Sequence, residues 1–187
     1  MKDHPDRRKF LALGGAALGG AALTFAVGRP AFAAPLPATR TLSFYNLHTG
    51  ESLKTAYCVD GACVPGALDE INHVLRDFRT GDVHEIDVRL LDLLATIRGK
   101  AETNKPFHVI SGYRSPKTNQ MLRHNSSGVA KRSLHMEGEA IDIRIPGRDL
   151  TWLRKTALGL KRGGVGYYPK SDFVHVDVGR VRQWVGS

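Results

Sequence analysis

The stretch SLHMEGEAIDI, residues 133–143, sets His135 seven positions ahead of Asp142, and SDFVHVD, residues 171–177, sets Asp172 three positions ahead of His175. Two imidazoles and one carboxylate, with a fourth position left to water, are the ligand set of a catalytic zinc. Such a site lowers the pKa of its bound water to about 7, which makes hydroxide available at neutral pH. The chain has eight histidines. A single histidine on a strand is more often hydrogen-bonded or solvated than a metal ligand, so residue types alone leave the site open.

Strand parity brings the two stretches closer to one site. In EAIDIRI, Ile141, Ile143 and Ile145 fall on one face and Asp142 on the other. In FVHVDV, Val174, Val176 and Val178 alternate with His175 and Asp177, which therefore share a face. If these strands are neighbours, Asp142 and His175 converge on one cation, and His135 joins them from the preceding loop.

The elements that must hold them read as follows. TLSFYNLHTGESLKTAYCVDGACV alternates short apolar runs with turn signals and predicts two or three strands. ALDEINHVLRDFRTGD predicts a helix burying Leu68, Ile71, Val74, Leu75 and Phe78. Asp87 caps a second helix carrying Leu90, Leu91, Leu94 and Ile97, with Gly99 just past its end. PFHVISGYRS is a strand running into a tight loop, and Ser115-Pro116 opens a short helix. Residues 125–133 form a polar lid or rim. Asp149 caps a third long helix, and VGYYP and FVHVDVG complete the pattern as strands. The class is α+β, a single domain with a mostly antiparallel sheet flanked by helices.

Cys58 and Cys63 frame CVDGAC. Asp60-Gly61 is a strong two-residue hairpin turn that sets the cysteines opposite one another. In an oxidising compartment a disulfide Cys58–Cys63 is the expected staple.

The motif Ser133-x-His135-x-x-Gly138-x-Ala140-x-Asp142, followed by Asp172-x-x-His175, resembles the zinc D-Ala-D-Ala carboxypeptidase and murein endopeptidase superfamily, whose fold also underlies the Hedgehog signalling domain. LSFYNLHTGESL, INHVLRDFRTGDVHEID, ISGYRSPKTN and GGVGYYPKSDFVHVDVGRVRQW are similar to the exported murein endopeptidase K-like family, once known only as a domain of unknown function. The similarity runs from about Leu42 to Trp184. It implies Zn2+ held by His135, Asp142 and His175, with Asp172 as catalytic acid/base and Arg114 facing the scissile carbonyl. Asp177, where more distant relatives have His-x-His, becomes a second-shell group or an alternative base, and Ser133 a second-shell group. Glu137 and Glu139 should stay solvated, and His108 and His124 should be structural.

The implied activity is hydrolysis of peptidoglycan stem-peptide cross-links. A D-Ala-D-Ala or L,D-type carboxypeptidase and a catalytically silent wall-binding module are the alternatives. A structural zinc is disfavoured, because such sites are closed by four protein ligands.

The ends and the charge fit that compartment. Residues 1–33 pair Arg7-Arg8 with a Gly/Ala-rich apolar run and the small-x-small triplet Ala31-Phe32-Ala33. That order is a twin-arginine export signal, cut after Ala33. Residues 34–41 then form a linker and 42–187 the zinc peptidase-like domain, placed in the periplasm without stable membrane insertion. The formal charge is +9; removing Lys2, Arg7, Arg8, Lys9, Arg29, Asp3 and Asp6 leaves +6 on residues 34–187. That charge is scattered, which favours an anionic wall polymer over nucleic acid. A monomer is expected.

Overall fold

A computed structural model describes residues 36–125 and 128–186; the predicted export signal, the start of the linker and Ser126-Ser127 of the predicted rim lie outside the described residues. Thirteen elements follow in chain order. Three strands come first, β1 (Arg40–Asn46), β2 (Ser52–Val59) and β3 (Ala62–Cys63). Two helices follow, α1 (Pro65–Val74) and α2 (Val88–Ala101), then β4 (Phe107–Ser111) and α3 (Pro116–Asn125). A 3₁₀ turn, Leu134–Glu137, leads into β5 (Ala140–Arg144), α4 (Leu150–Leu160), β6 (Gly164–Tyr168), β7 (Phe173–Asp177) and β8 (Arg182–Val185).

The strands form one sheet in the order β3-β2-β1-β4-β5-β7-β6-β8. Pairing is antiparallel except at β1–β4 and β6–β8. The α+β class and the mostly antiparallel sheet therefore stand. Pro35–Ser187 makes one compact unit, and no described helix is long and apolar enough to cross a membrane.

Alternation within the strands sorts the two faces of the sheet. Leu42, Phe44, Phe107, Val109, Ile141, Ile143, Val174 and Val176 join α2 and α4 in one buried cluster. Helix α2 contributes Leu90, Leu91, Leu93, Leu94 and Ile97 to it, and burying each such side chain is worth about 1.5–3 kcal/mol. The other face of β5 and β7 is left for polar residues. Helix starts follow the sequence closely: the Asp87 side chain accepts from the Arg89 amide at 2.7 Å, and Asp149 from the Trp152 amide at 2.6 Å.

Three expectations change. The first helix stops at Val74 rather than running on through Phe78. Beyond it the chain wraps around Asp77, whose amide donates to Asp82 and whose carboxylate accepts from the amides of Arg79 and Ser115. Phe78 stacks on His48 instead, ring centroids 3.7 Å apart. Helix α2 passes Gly99 and ends at Ala101, where Glu102 takes the left-handed conformation (φ 47) that closes a helix.

β8 adds an edge strand that the alternation did not predict. The cysteines face each other across the β2–β3 hairpin, Cys58 buried and Cys63 exposed. Buried Cys58 accepts from Arg40 at 2.7 Å and lies 3.7 Å from the Ala38 carbonyl.

Candidate metal centre

Asp142 and His175 are direct cross-strand partners in the β5–β7 ladder, on the face that parity assigns them. The 3₁₀ turn supplies His135. That turn is closed by Gly138 at φ 67, and a Cβ there would lie 2.1 Å from the Glu85 carbonyl oxygen, so only glycine fits. The Asp87 amide donates to the Gly138 carbonyl and the Arg114 amide to the His135 carbonyl, which ties the turn to its neighbours.

Three donor atoms meet in a buried cluster. His175 Nδ1 lies 2.9 Å from Asp142 Oδ1 and 3.2 Å from His135 Nε2, and His135 Nε2 lies 3.3 Å from Asp142 Oδ1. A tetrahedral zinc with nitrogen and oxygen ligands at 2.0–2.2 Å holds them roughly 3.3–3.6 Å apart. The cluster therefore has the donor set, and nearly the spacing, of a zinc site.

The outer ring nitrogens are also occupied. His135 Nδ1 is 2.8 Å from the Gly112 carbonyl oxygen, so it carries the proton and donates. His175 Nε2 is 3.0 Å from Asp177 Oδ2 and donates there. Each bond fixes the tautomer that turns a lone pair inward, as outer-shell partners of metal-bound histidines do.

Burial and neighbouring charge act on the three groups in different directions. Burial holds His135 below the ordinary histidine range, which favours the neutral imidazole a metal requires. Burial alone would raise Asp142, but the charge and hydrogen bonds of both histidines overcome it and hold the carboxyl far below the carboxylate range. For His175, burial opposes protonation, yet the carboxylates of Asp142 and Asp177 on either side raise it to about 8.

Asp177 is fully buried and fully engaged. Besides His175 it accepts from the amides of Gly164 and Gly179, each at 2.9 Å, and from both terminal nitrogens of Arg182. Both of its oxygens are therefore already engaged. Arg114 reaches the site from the loop after β4, its Nη2 3.8 Å from Asp142 Oδ2. Its Nε is buried with no partner, and burial lowers its pKa, although a guanidinium stays charged. Ser133 is buried at the start of the 3₁₀ turn, and its carbonyl accepts from the Met136 amide.

Asp172 stands apart from the cluster. It has φ 54, in the turn before β7, and its exposed carboxylate pairs with Arg144 Nη1 at 2.5 Å. Glu137 is exposed as expected, whereas Glu139 bonds Arg89 at 2.9 Å. His124 is exposed, and His108 packs against Tyr45, centroids 5.3 Å apart.

Sequence reasoning missed two members of the site. Trp184 of β8 packs 5.1 Å from the His175 ring, and its indole lies where a Cβ on Gly166 would be, 2.6 Å away. A glycine inside a strand is the one signal that a ring approached the backbone there. The other is Arg182, under which no motif lay.

Residues 34–184 match the family described as peptidoglycan L,D-endopeptidase MepK. The peptidoglycan L,D-endopeptidase MepK of Escherichia coli (strain K12) is 47% identical over 184 residues, 98% of this chain and 99% of that protein. The probable peptidoglycan L,D-endopeptidase MepK of Haemophilus influenzae is 42% identical over 182 residues, 97% of this chain and 96% of its own. On identity and coverage of this extent, the chain belongs to the peptidoglycan L,D-endopeptidase MepK family.

Proposed function

We propose that this chain is a zinc-dependent peptidase that hydrolyses peptide cross-links of peptidoglycan, with His135, Asp142 and His175 as the metal ligands. The observation that carries this reading is the convergence of three inward lone pairs whose outer nitrogens are already committed to Gly112 and Asp177. Zinc in such a site supplies Lewis acidity toward water and carbonyl oxygen. The fold that accompanies this chemistry is the Hedgehog and D-Ala-D-Ala peptidase type. Residues 1–33 act as a twin-arginine export signal and 34–41 as a linker, so that 42–187 works in the periplasm as a monomer.

The side chains divide the work. Arg114, whose buried Nε alone has no protein partner, turns its guanidinium charge toward the scissile carbonyl oxygen, where negative charge develops. Asp177 holds the His175 ring. Asp172 takes a proton from the attacking water and delivers it to the leaving amine as the carbon–nitrogen bond breaks. It is suited to this because one cation holds it and its carboxylate faces water, unlike Asp177. It must leave Arg144 to act. Arg144 lies two residues from Asp142 on the same face of β5, so the distance to cross is short.

Mass spectrometry of defined muropeptides tests the assignment. Zinc-loaded protein should convert cross-linked dimers to monomers and leave monomeric stem peptides with terminal D-Ala unchanged. Trimming of the terminal residue alone would make the chain a carboxypeptidase, and no product from either would make it a wall-binding module.

A further inference from the structure

Beside the ligand row runs a groove of roughly 320 Å³, lined by His108, Arg144, Pro146, Arg148, Leu150 and Asp172 among others. Arg144 is one of its lining residues. It pairs with His108 across the β4–β5 ladder and follows Asp142 by two residues on the same strand face. The two side chains are therefore roughly 7 Å apart along the strand, the reach of about two extended peptide residues.

One guanidinium in the groove, that of Arg144, has donors to spare. Asp172 engages one terminal nitrogen of Arg144, and among the described residues no other hydrogen bond or ion pair reaches that guanidinium. His108 Nδ1 is buried with no partner, and burial together with the Arg144 charge keeps the ring neutral, able to donate one hydrogen bond. Arg148 is already used by the Ala101 carbonyl, Glu102 and the Trp152 ring, so it adds charge at the rim. The Asp172 side chain is 60% exposed, and an ion pair so open to water is weak and exchangeable.

We propose that Arg144 binds a free carboxylate of the substrate, carried by the residue next to the scissile bond, and that this carboxylate replaces Asp172 on the guanidinium. This rests on the peptidase reading above and names what that site selects. The exchange is like for like, a carboxylate for a carboxylate, and the planar guanidinium can take the incoming group through two parallel bonds. It also frees Asp172 beside the reacting bond. A peptide bearing the carboxylate thus releases the base that acts on it, and a peptide without it leaves Asp172 held.

Steady-state kinetics of the zinc-loaded protein on two cross-linked muropeptides test this. The pair differ solely at the carboxylate of the residue flanking the scissile bond, free in one and amidated in the other. Hydrogen bonds to charged groups predict that the wild-type protein favours the free acid by about ten- to a hundred-fold in kcat/KM. Arg144→Gln should bring that ratio close to one, by raising KM for the free acid and, with Asp172 no longer held, by raising kcat for the amide, and Arg144→Lys, which keeps the charge but loses the fork, should fall between. Zinc content and circular dichroism confirm that both variants are folded and loaded. A wild-type ratio near one, or a wild-type ratio retained by either folded variant, overturns the role of Arg144. Failure of the wild type to cleave either peptide overturns the peptidase reading with it.

Discussion

At the scale of single residues, the three inward-facing atoms and the carboxylates around them make separable claims. His135→Ala removes one ligand from a turn held by backbone bonds, so zinc should be lost while the domain stays folded; metal analysis beside circular dichroism checks both. Asp172→Ala keeps every ligand. Zinc should stay bound while turnover on cross-linked muropeptides falls about 10²- to 10⁴-fold, the usual worth of general acid–base catalysis. Asp177→Ala should behave differently, because it strips a buried acceptor from Gly164, Gly179, Arg182 and His175 at once. Each buried group left unpaired costs about 1–3 kcal/mol, so this variant should melt earlier and bind zinc more weakly. An Asp177→Ala protein with normal melting and zinc but no activity would make Asp177 the base. The convergence of His135, Asp142 and His175 was legible in the sequence, since strand parity and the spacing of a short motif survive folding. The pairing of Asp172 with Arg144 was not. It depends on a left-handed residue in a turn, and nothing in the spacing encodes where such a side chain points.

At the scale of elements, helix starts and strand faces could be read ahead, because caps and alternation are local. The end of α1 and the presence of β8 could not, because both are set by partners distant in the chain. The Asp77 carboxylate binds the Ser115 amide, 38 positions away, and so fixes the loop that carries Arg114. Burial would raise the Asp77 carboxyl, but bonds from Thr118, Ser115 and Arg79 outweigh it and hold the group below its ordinary value. A depressed folded pKa means stability that is present above the unfolded value and lost as pH falls through the folded one. Melting temperature should therefore drop on acidification below about pH 4, the ordinary carboxylate range, and Asp77→Asn should drop less over the same interval while starting lower. β8 depends on Gly166, whose missing side chain makes room for Trp184 against His175. Gly166→Ala should push the indole out, seen as a red shift and quenching of tryptophan emission, with weaker zinc binding because the His175 ring loses its wall. Unchanged emission would show that β8 does not rest on that glycine.

At the scale of the whole molecule, one sheet has its two faces assigned to different tasks. One packs α2 and α4 into the core, and the other presents the His135, Asp142 and His175 cluster and a cationic groove beside it. Because the ligands come from a turn and two strands far apart in sequence, a bound metal ties those segments together only in the folded state. Zinc should therefore raise the melting temperature in proportion to the logarithm of its concentration over Kd. The most direct test of the account is to strip the protein with a chelator and return zinc stepwise, following cleavage of cross-linked muropeptides at each step. Cleavage should be absent at the start, rise linearly and level off at one zinc per chain, with His175→Ala flat throughout. Full cleavage by the stripped protein, or a plateau that His175→Ala also reaches, would contradict it.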